Sequence, residues 1–248
     1  MSSYVIIPAR TASTRLPRKL LLRDTGKSVL QHTYEAAQTA ASPLGVCVAA
    51  GDDEVAKDVV RFGGLVVKTS CDLESGTDRV AEVARDQRYA RMDFIVNLQG
   101  DEPEITGEAI DQVVGILERD PQAMMATLAA PIQNVDQYHD PSCVKVVCDS
   151  KGRALYFSRS PIPHCRATRS PNVHEDALQH IGLYAYRREF LLKLTRLPQS
   201  RLEKSEKLEQ LRVLESGFPI AVGLVDKAAQ GIDTEADYRA FVQRQMSA

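Results

Sequence analysis

Four cationic side chains follow the first apolar run of the chain. YVIIPA (4–9) predicts a buried strand, and the loop that leaves it, PARTASTRLPRK (8–19), carries Arg10, Arg15, Arg18 and Lys19. In an open α/β sheet, such a loop lies at the carboxyl end of the strand, where ligands bind. Guanidinium and ammonium groups that converge there would neutralise a triphosphate, which carries about four negative charges. The alternative is a solvated basic loop, and the spacing favours phosphate binding.

Two acidic segments are candidates for a metal site. LQGDEP (98–103) follows the apolar run FIVNL, so Asp101 is expected at the same edge of the sheet. A carboxylate there is a hard oxygen ligand suited to Mg²⁺, which takes few protein ligands plus substrate phosphates. An ordinary turn or helix-capping aspartate explains Asp101 equally well. Asp233, in GIDT (231–234), lies between a predicted strand and a helix, and by itself it is better explained as an ordinary helix-start residue.

Two further segments carry weaker signals. SGTDR (75–79) predicts a helix start with Thr77 as the N-cap, or a segment that faces a nucleobase. In HIGLY (180–184), the even spacing places His180 and Tyr184 on one face of a strand, and Gly182 between them leaves room for a ligand.

Several familiar motifs are absent from the sequence. DTGKS (24–28) is not a P-loop, because Leu21 stands where the motif requires glycine. No GxGxxG follows a predicted strand, and neither HExxH nor GxSxG occurs. Dinucleotide binding and hydrolase chemistry are therefore not supported.

Composition excludes further classes of protein. The chain has 248 residues and a net charge of -2, so no basic field favours nucleic acid. No apolar run approaches the ~20 residues of a membrane span, and the N-terminus does not resemble a signal peptide. The five cysteines form no CxxC pair, which predicts free thiols in a reducing compartment. We therefore expect a cytoplasmic protein without membrane or nucleic-acid partners.

The pattern of elements predicts the fold. Strand and helix signals alternate through residues 4–120, which indicates βαβ units and a mostly parallel sheet. Strand-like runs then crowd the stretch around 124–190, with a polar loop predicted at 164–179. A helix over 205–217 closed by Gly217, a strand over 219–225 and a helix over 234–246 capped by Thr234 complete the chain. We expect one domain, residues 1–248, with a strand-rich insert that forms a small lobe or a dimerisation arm.

The motifs together resemble the CMP-Kdo synthetases (3-deoxy-manno-octulosonate cytidylyltransferases). The matching segments span almost the whole chain in the order of that family: IIPARTASTRLPRK (6–19), SGTDRVAEV (75–83), IVNLQGDEP (95–103), MATLAAPI (125–132), VKVVCD (144–149), ALYFSRSPIP (154–163), HIGLYAYR (180–187), EKLEQLRVLESG (206–217) and GIDTEADY (231–238).

The resemblance implies a fold, a reaction and a set of roles. The fold would be the nucleotide-diphospho-sugar transferase type of three-layer α/β sandwich, with an inserted antiparallel segment, in a homodimer. The reaction would transfer CMP from CTP to the anomeric hydroxyl of the small acidic sugar Kdo, with Mg²⁺ as cofactor, for lipopolysaccharide biosynthesis. Catalysis would rest on Arg15, Lys19, Asp101 and Asp233, and the metal would bind Asp101 and Asp233. The nucleotide would contact Pro8, Ala9, Arg10, Arg15, Lys19, Ser75, Gly76, Thr77, Gln99 and Asp101, and the sugar Arg159, His180, Tyr184, Glu209 and Gln210.

Two alternatives remain open at this point. One is a cytidylyltransferase for a related acid, such as 8-amino-Kdo or a sialic-type acid. The other is a nucleotide-binding protein that kept the fold and lost turnover, which the intact carboxylates and loop cations disfavour.

Overall fold

A computed structural model describes residues 1–13, 15–164 and 177–247 of the chain. Over these ranges the chain forms nine strands, each short and mostly apolar. They are β1 (Ser3–Ala9), β2 (Pro43–Ala50), β3 (Val66–Lys68), β4 (Phe94–Leu98), β5 (Met125–Pro131), β6 (Lys145–Cys148), β7 (Ala154–Ser158), β8 (Leu178–Arg187) and β9 (Ile220–Leu224).

The strands form one mixed sheet in the order β3-β2-β1-β4-β8-β5-β9. The pairs β3–β2, β2–β1, β1–β4 and β5–β9 are parallel, whereas β8 runs antiparallel to both of its neighbours, β4 and β5. In β1, Val5, Ile6 and Ile7 are fully buried, as expected for a parallel strand covered on both faces. The predicted sheet, mostly parallel with an antiparallel segment, is confirmed.

Helices cover both faces of this sheet. In the described ranges they are α1 (Val29–Ala37), α2 (Asp53–Arg61), α3 (Gly76–Ala84), α4 (Gly107–Arg119), α5 (Val135–His139), α6 (Arg188–Leu194), α7 (Arg201–Glu206), α8 (Gln210–Glu215) and α9 (Glu235–Ser247). One core packs α1, α2, α4 and α9 against the sheet, and a second packs α3, α6 and α8 against the other face. The result is the predicted three-layer sandwich. Within the described ranges, no helix has both the length and the apolar character needed to cross a membrane.

Side-chain caps fix where several helices begin. Ser28, Asp52, Ser75, Thr106, Asn134 and Ser200 each accept a hydrogen bond from a backbone N–H three residues further on. Thr234 accepts in the same way from the N–H of Asp237, so its predicted role at the last helix is confirmed. The N-cap of α3 is Ser75 rather than Thr77, and that prediction was wrong because Thr77 already lies inside the helix.

The single helix predicted over 205–217 was also wrong. The chain breaks it between α7 and α8, where Lys207 adopts a positive φ of 51°. A buried ion pair holds the two short helices together, since Arg212 Nε donates to Glu203 Oε2 at 2.8 Å. Gly217 follows α8 with φ 78°, the left-handed conformation that its predicted role requires.

The strand-rich stretch around 124–190 divides into two parts. β5 and β8 are central strands of the main sheet, while β6 and β7 form a hairpin that joins the sheet through β8. Residues 165–176, most of the predicted loop at 164–179, lie outside the described residues, and the strand that follows begins at Leu178 rather than at 180. The short helices α5 and α6 were not predicted.

Two glycines of α4 provide a test of the packing. A methyl group on Gly107 would lie 2.6 Å from the backbone carbon of Thr39, whereas one on Gly115 would meet only the flexible end of Arg119 at 3.0 Å. We expect Gly107→Ala to lower the free energy of unfolding by about 1–3 kcal/mol. Gly115→Ala should leave it unchanged or raise it by roughly 0.5–1 kcal/mol. Urea denaturation of both variants checks this, and equal effects would contradict the packing described.

Candidate active site

A cavity of about 550 Å³ lies at the carboxyl ends of β1 and β4. Nine of the residues predicted to bind nucleotide line it: Pro8, Ala9, Arg10, Arg15, Lys19, Ser75, Gly76, Gln99 and Asp101. Five more lining residues were not predicted, namely Ala12, Ser13, Leu20, Arg79 and Gly100. Two segments distant in sequence, the loop after β1 and the start of α3, therefore line one cavity.

Lys19 joins the two candidate metal ligands. Its ammonium donates to Asp101 Oδ2, to Asp233 Oδ1 at 3.1 Å and to the carbonyl of Ile232 at 2.9 Å. Arg15 Nη2 contacts the same Asp233 oxygen at 2.8 Å. Asp233 does not line the cavity, but this cluster brings it to the cavity edge. The four residues predicted to be catalytic thus lie together.

Asp101 and Asp233 raise the pKa values of the neighbouring Lys19 and Glu102 side chains. Burial works against the charge on Lys19, but Asp101 and Asp233 outweigh it and raise the pKa of the ammonium above its usual value. Burial of the Glu102 carboxyl, together with the charges of Asp101 and Asp233, raises its pKa to about 8. The Lys19 ammonium therefore stays protonated beside Asp101 and Asp233. Glu102, directly after the predicted ligand, was not identified from the sequence.

The cations of the loop after β1 do not all lie at the cavity. Asp52 fixes its start, since the carboxylate accepts from the backbone N–H of Thr11 at 2.7 Å while also capping α2. Arg18, with φ 55°, turns outward to pair with Glu54. Arg18 is therefore not among the cations at the cavity, whereas Arg10, Arg15 and Lys19 are.

Arg79 is a cavity residue that sequence reasoning missed. Its side chain is 3% exposed, and it donates to the carbonyl of Ser70 at 3.0 Å and to the hydroxyl of Thr69. Gly51 makes room for it, because a methyl group there would lie 2.6 Å from the guanidinium. The sequence spacing could have identified Arg79, because it comes four residues after Ser75 and this spacing places side chains on one face of a helix.

Thr77 does not face the large cavity. It is buried, and its hydroxyl donates to Glu209 Oε2, while Ser75 Oγ lies 3.2 Å from Glu209 Oε1. Thr77 is thus outside the lining of the large cavity, and it contacts a residue that was predicted to bind sugar.

Three of the predicted sugar residues line a second, small cavity of about 20 Å³. These are Tyr184, Glu209 and Gln210. The ring of His180 lies 5.3 Å from that of Tyr184, which confirms that the two share a strand face. His180 Nε2 also lies 3.0 Å from the hydroxyl of Thr127. Arg159 lies apart from both linings: its Nε donates to the carbonyl of Glu206 at 2.8 Å and its Nη1 to that of Pro141 at 2.9 Å.

The sequence profile of the cytidylyltransferases matches residues 4–224. The chain belongs to the cytidylyltransferase family. Two relatives named 3-deoxy-manno-octulosonate cytidylyltransferase support a closer placement. The protein from Rhodopirellula baltica is 48% identical over 98% of both chains, and that from Syntrophotalea carbinolica is 47% identical over 96% of both.

Solved structures agree with this placement in the cytidylyltransferase family. A CMP:2-keto-3-deoxy-manno-octonic acid synthetase complexed with CTP has a TM-score of 0.91 and 39% identity, covering 100% of this chain and 99% of that one. A cytidylyltransferase from Leptospira borgpetersenii, at 17% identity, has a TM-score of 0.62 over 99% of this chain and 87% of its own. The second likeness shows a shared fold. The resemblance to CMP-Kdo synthetases drawn from the motifs is confirmed.

The buried imidazole of His180 should make the stability of the protein depend on pH. Burial lowers the pKa of His180 to about 3, whereas an unfolded histidine titrates near about 6.5. The unfolded chain thus binds one more proton between these values. The contribution of His180 to the free energy of unfolding is therefore complete above about pH 6.5. Below that pH it falls by about 1.4 kcal/mol for each pH unit. We expect His180→Gln to reduce the slope of unfolding free energy against pH by that amount between about pH 6 and 4.5. Urea titrations measure it, with the exposed His139→Gln as the matched control, and an unchanged slope in His180→Gln would refute it.

Proposed function

We propose that this chain transfers CMP from CTP to the anomeric hydroxyl of 3-deoxy-D-manno-octulosonate, giving CMP-Kdo and pyrophosphate for lipopolysaccharide biosynthesis. The observation that carries the proposal is the cavity that brings Arg10, Arg15, Lys19 and Asp101 together. This cavity lies in a chain that matches a CTP-bound synthetase over its full length. The names of the full-length relatives agree with the proposal.

The cationic wall performs the electrostatic part of the reaction. In phosphoryl transfer, most catalysis comes from alignment of the groups and from stabilisation of charge on the phosphoryl oxygens. Arg10, Arg15 and Lys19 bind the triphosphate, and Arg15 and Lys19 stabilise the departing pyrophosphate. The cytidine is held in place by other residues that line the same cavity, namely Pro8, Ala9, Ser75, Gly76 and Gln99. The sugar hydroxyl then attacks the α-phosphorus in line with the leaving group.

A divalent cation, Mg²⁺ in our proposal, suits the acidic side of the cavity. The fit rests on two carboxylates that already converge on one cation, the Lys19 ammonium, and that offer the oxygen atoms this metal prefers. Asp101 and Asp233 would hold the ion. The chemistry supplied there by the bound metal is polarisation of the phosphate oxygens. Lys19 contacts both carboxylates, and Arg15 contacts that of Asp233.

The second, small cavity marks the sugar side of the proposed site. Glu209, Gln210 and Tyr184 line it, and His180 extends the same strand face. These groups orient the hydroxyls of the sugar acid. Arg159 supplies positive charge for the sugar carboxylate, because a buried carboxylate without a partner is unfavourable.

Oligomerisation and location complete the proposal. We expect a homodimer in which the β6–β7 hairpin takes part, since Leu155 on β7 is 62% exposed. We expect the cytoplasm as the compartment. Among the described residues, Cys47, Cys71, Cys143 and Cys148 are free thiols, which agrees with a reducing environment.

The reaction is tested by pyrophosphate release from purified protein with CTP, Mg²⁺ and Kdo. We expect release only when all three are present, with ATP, GTP and UTP inactive as replacements for CTP. Release with 8-amino-Kdo or a sialic acid in place of Kdo would keep the reaction and change the substrate. No release with any acid, despite measurable CTP binding, would refute the enzymatic proposal.

The metal role is tested by Asp101→Asn. Loss of one anionic ligand should weaken Mg²⁺ binding to the CTP complex and lower turnover at saturating metal by about a hundredfold or more. Asp93→Asn is the matched control, because Asp93 lies at the opposite end of the same strand, where its carboxylate accepts from the N–H of Ser2. Calorimetric titration of Mg²⁺ reports binding independently of turnover. Near-normal turnover by Asp101→Asn would remove Asp101 from the metal site.

A further inference from the structure

Thr77 connects the two cavities although it lines neither. Its neighbours Ser75 and Gly76 line the large cavity, and Glu209 lines the small one. Thr77 itself is 3% exposed, and its hydroxyl donates to Glu209 Oε2. The hydrogen bond therefore runs from the helix that begins at the nucleotide wall to the turn that carries the sugar wall.

The Thr77 hydroxyl donates to Glu209, and its side chain also has a hydrogen bond with Tyr186, which lines the same small cavity. Ser75 Oγ also lies near this carboxylate, 3.2 Å from Oε1, but it lies 2.9 Å from Asp78 Oδ2 as well. A serine hydroxyl has one proton and can donate to one acceptor at a time. Because Ser75 also lines the large cavity, a bound nucleotide adds a third competitor for that proton. Thr77 is then the donor that holds Glu209 when the nucleotide is present.

The orientation of the Glu209 carboxylate depends on this contact, because the carboxylate makes no hydrogen bond to the backbone of its own helix. It stands at the start of α8, where its side chain makes no capping hydrogen bond. The nearest described cation, Arg212, lies 3.7 Å from Glu209 Oε1 and is paired more closely with Glu203. The preceding residues turn sharply, with Lys207 at φ 51°. The direction of the Glu209 carboxylate, and with it the place of Gln210, is therefore set from α3.

We propose that Thr77 is a positioning residue for the sugar acid, which acts by fixing the Glu209 carboxylate against the start of α3. This inference rests on the proposed function and deepens it. The SGT segment thereby serves both substrates: Ser75 and Gly76 form the nucleotide wall, and Thr77 orients the sugar wall. Removal of the Thr77 hydroxyl should impair recognition of the sugar acid and spare recognition of CTP.

The test compares Thr77→Val, which keeps the shape of the side chain, with Thr77→Ser, which keeps the hydroxyl. For Thr77→Val we expect KM for Kdo to rise about tenfold, which is the factor for about 1.4 kcal/mol and the order expected for a lost hydrogen bond to a carboxylate. The Kd for CTP, from calorimetry, should stay within about twofold. Thr77→Ser should restore KM for Kdo to within about threefold of wild type.

A control separates this role from general destabilisation. Thr195→Val removes a half-buried hydroxyl at the end of α6, where Thr195 accepts from Arg85 and contacts neither cavity lining. We expect it to leave both constants unchanged. In a Glu209→Leu background, which has no acceptor for the Thr77 hydroxyl, Thr77→Val should change KM for Kdo less than about twofold, because the two residues act as one unit.

Three results would overturn the inference. A weaker Kd for CTP with an unchanged KM for Kdo would place Thr77 on the nucleotide wall. An equal loss of both constants, or a full tenfold effect that persists in Glu209→Leu, would show that Thr77 does not act through Glu209. These results require an active wild type and so differ from failure of the proposed function, in which wild-type protein transfers CMP to no sugar acid and both proposals fall.

Discussion

The ion cluster of Lys19 with Asp101 and Asp233 is the interaction on which the rest of the site depends. Two carboxylates that share one partner repel each other, and the Lys19 ammonium between them offsets this repulsion. The three residues come from the loop after β1, the turn after β4 and the segment before α9. The backbone N–H of Ile232 also donates to the carbonyl of Asp101 at 2.9 Å. The last segment of the chain is thus tied to the first through the site itself.

Much of the fold and part of the site follow from the sequence because they rest on local patterns. Apolar runs in alternation with amphipathic helices fixed the parallel half of the sheet, and β1 and β4 are neighbours in it. Residues just beyond these strands had to lie at one edge, which is why Arg15, Lys19 and Asp101 were expected to meet there, and the structure places all three in the lining of one cavity. Asp233 lacked such an argument, since only its contact with Lys19 distinguishes it from an ordinary helix-start aspartate.

The errors concern features decided by tertiary contact. The pattern of 205–217 suits one helix, but Lys207 takes a left-handed conformation there, and the packing of Arg212 on Glu203 supports the break. The direction of Thr77 depends on Glu209, more than a hundred residues later in the chain. Arg18 sits among cations that face the cavity, yet Glu54 pairs with it outside. In each case a particular side-chain contact decides the outcome, and the hydrophobic spacing of the sequence carries no information about that contact.

The antiparallel strand β8 explains how two substrates could share one edge of the sheet. Because β8 runs against β4, its middle lies beside the carboxyl end of β4, with Leu98 opposite Leu183 and Asn97 opposite Tyr184, and its first half continues beyond that end. His180 and Tyr184 are thereby brought to the edge that already carries Gln99 and Asp101. Among the described residues, the buried Nε2 of Gln210 in this region has no hydrogen-bond partner. Buried donors are normally satisfied, so a ligand oxygen in the small cavity would complete the polar surface that β8 and α8 present.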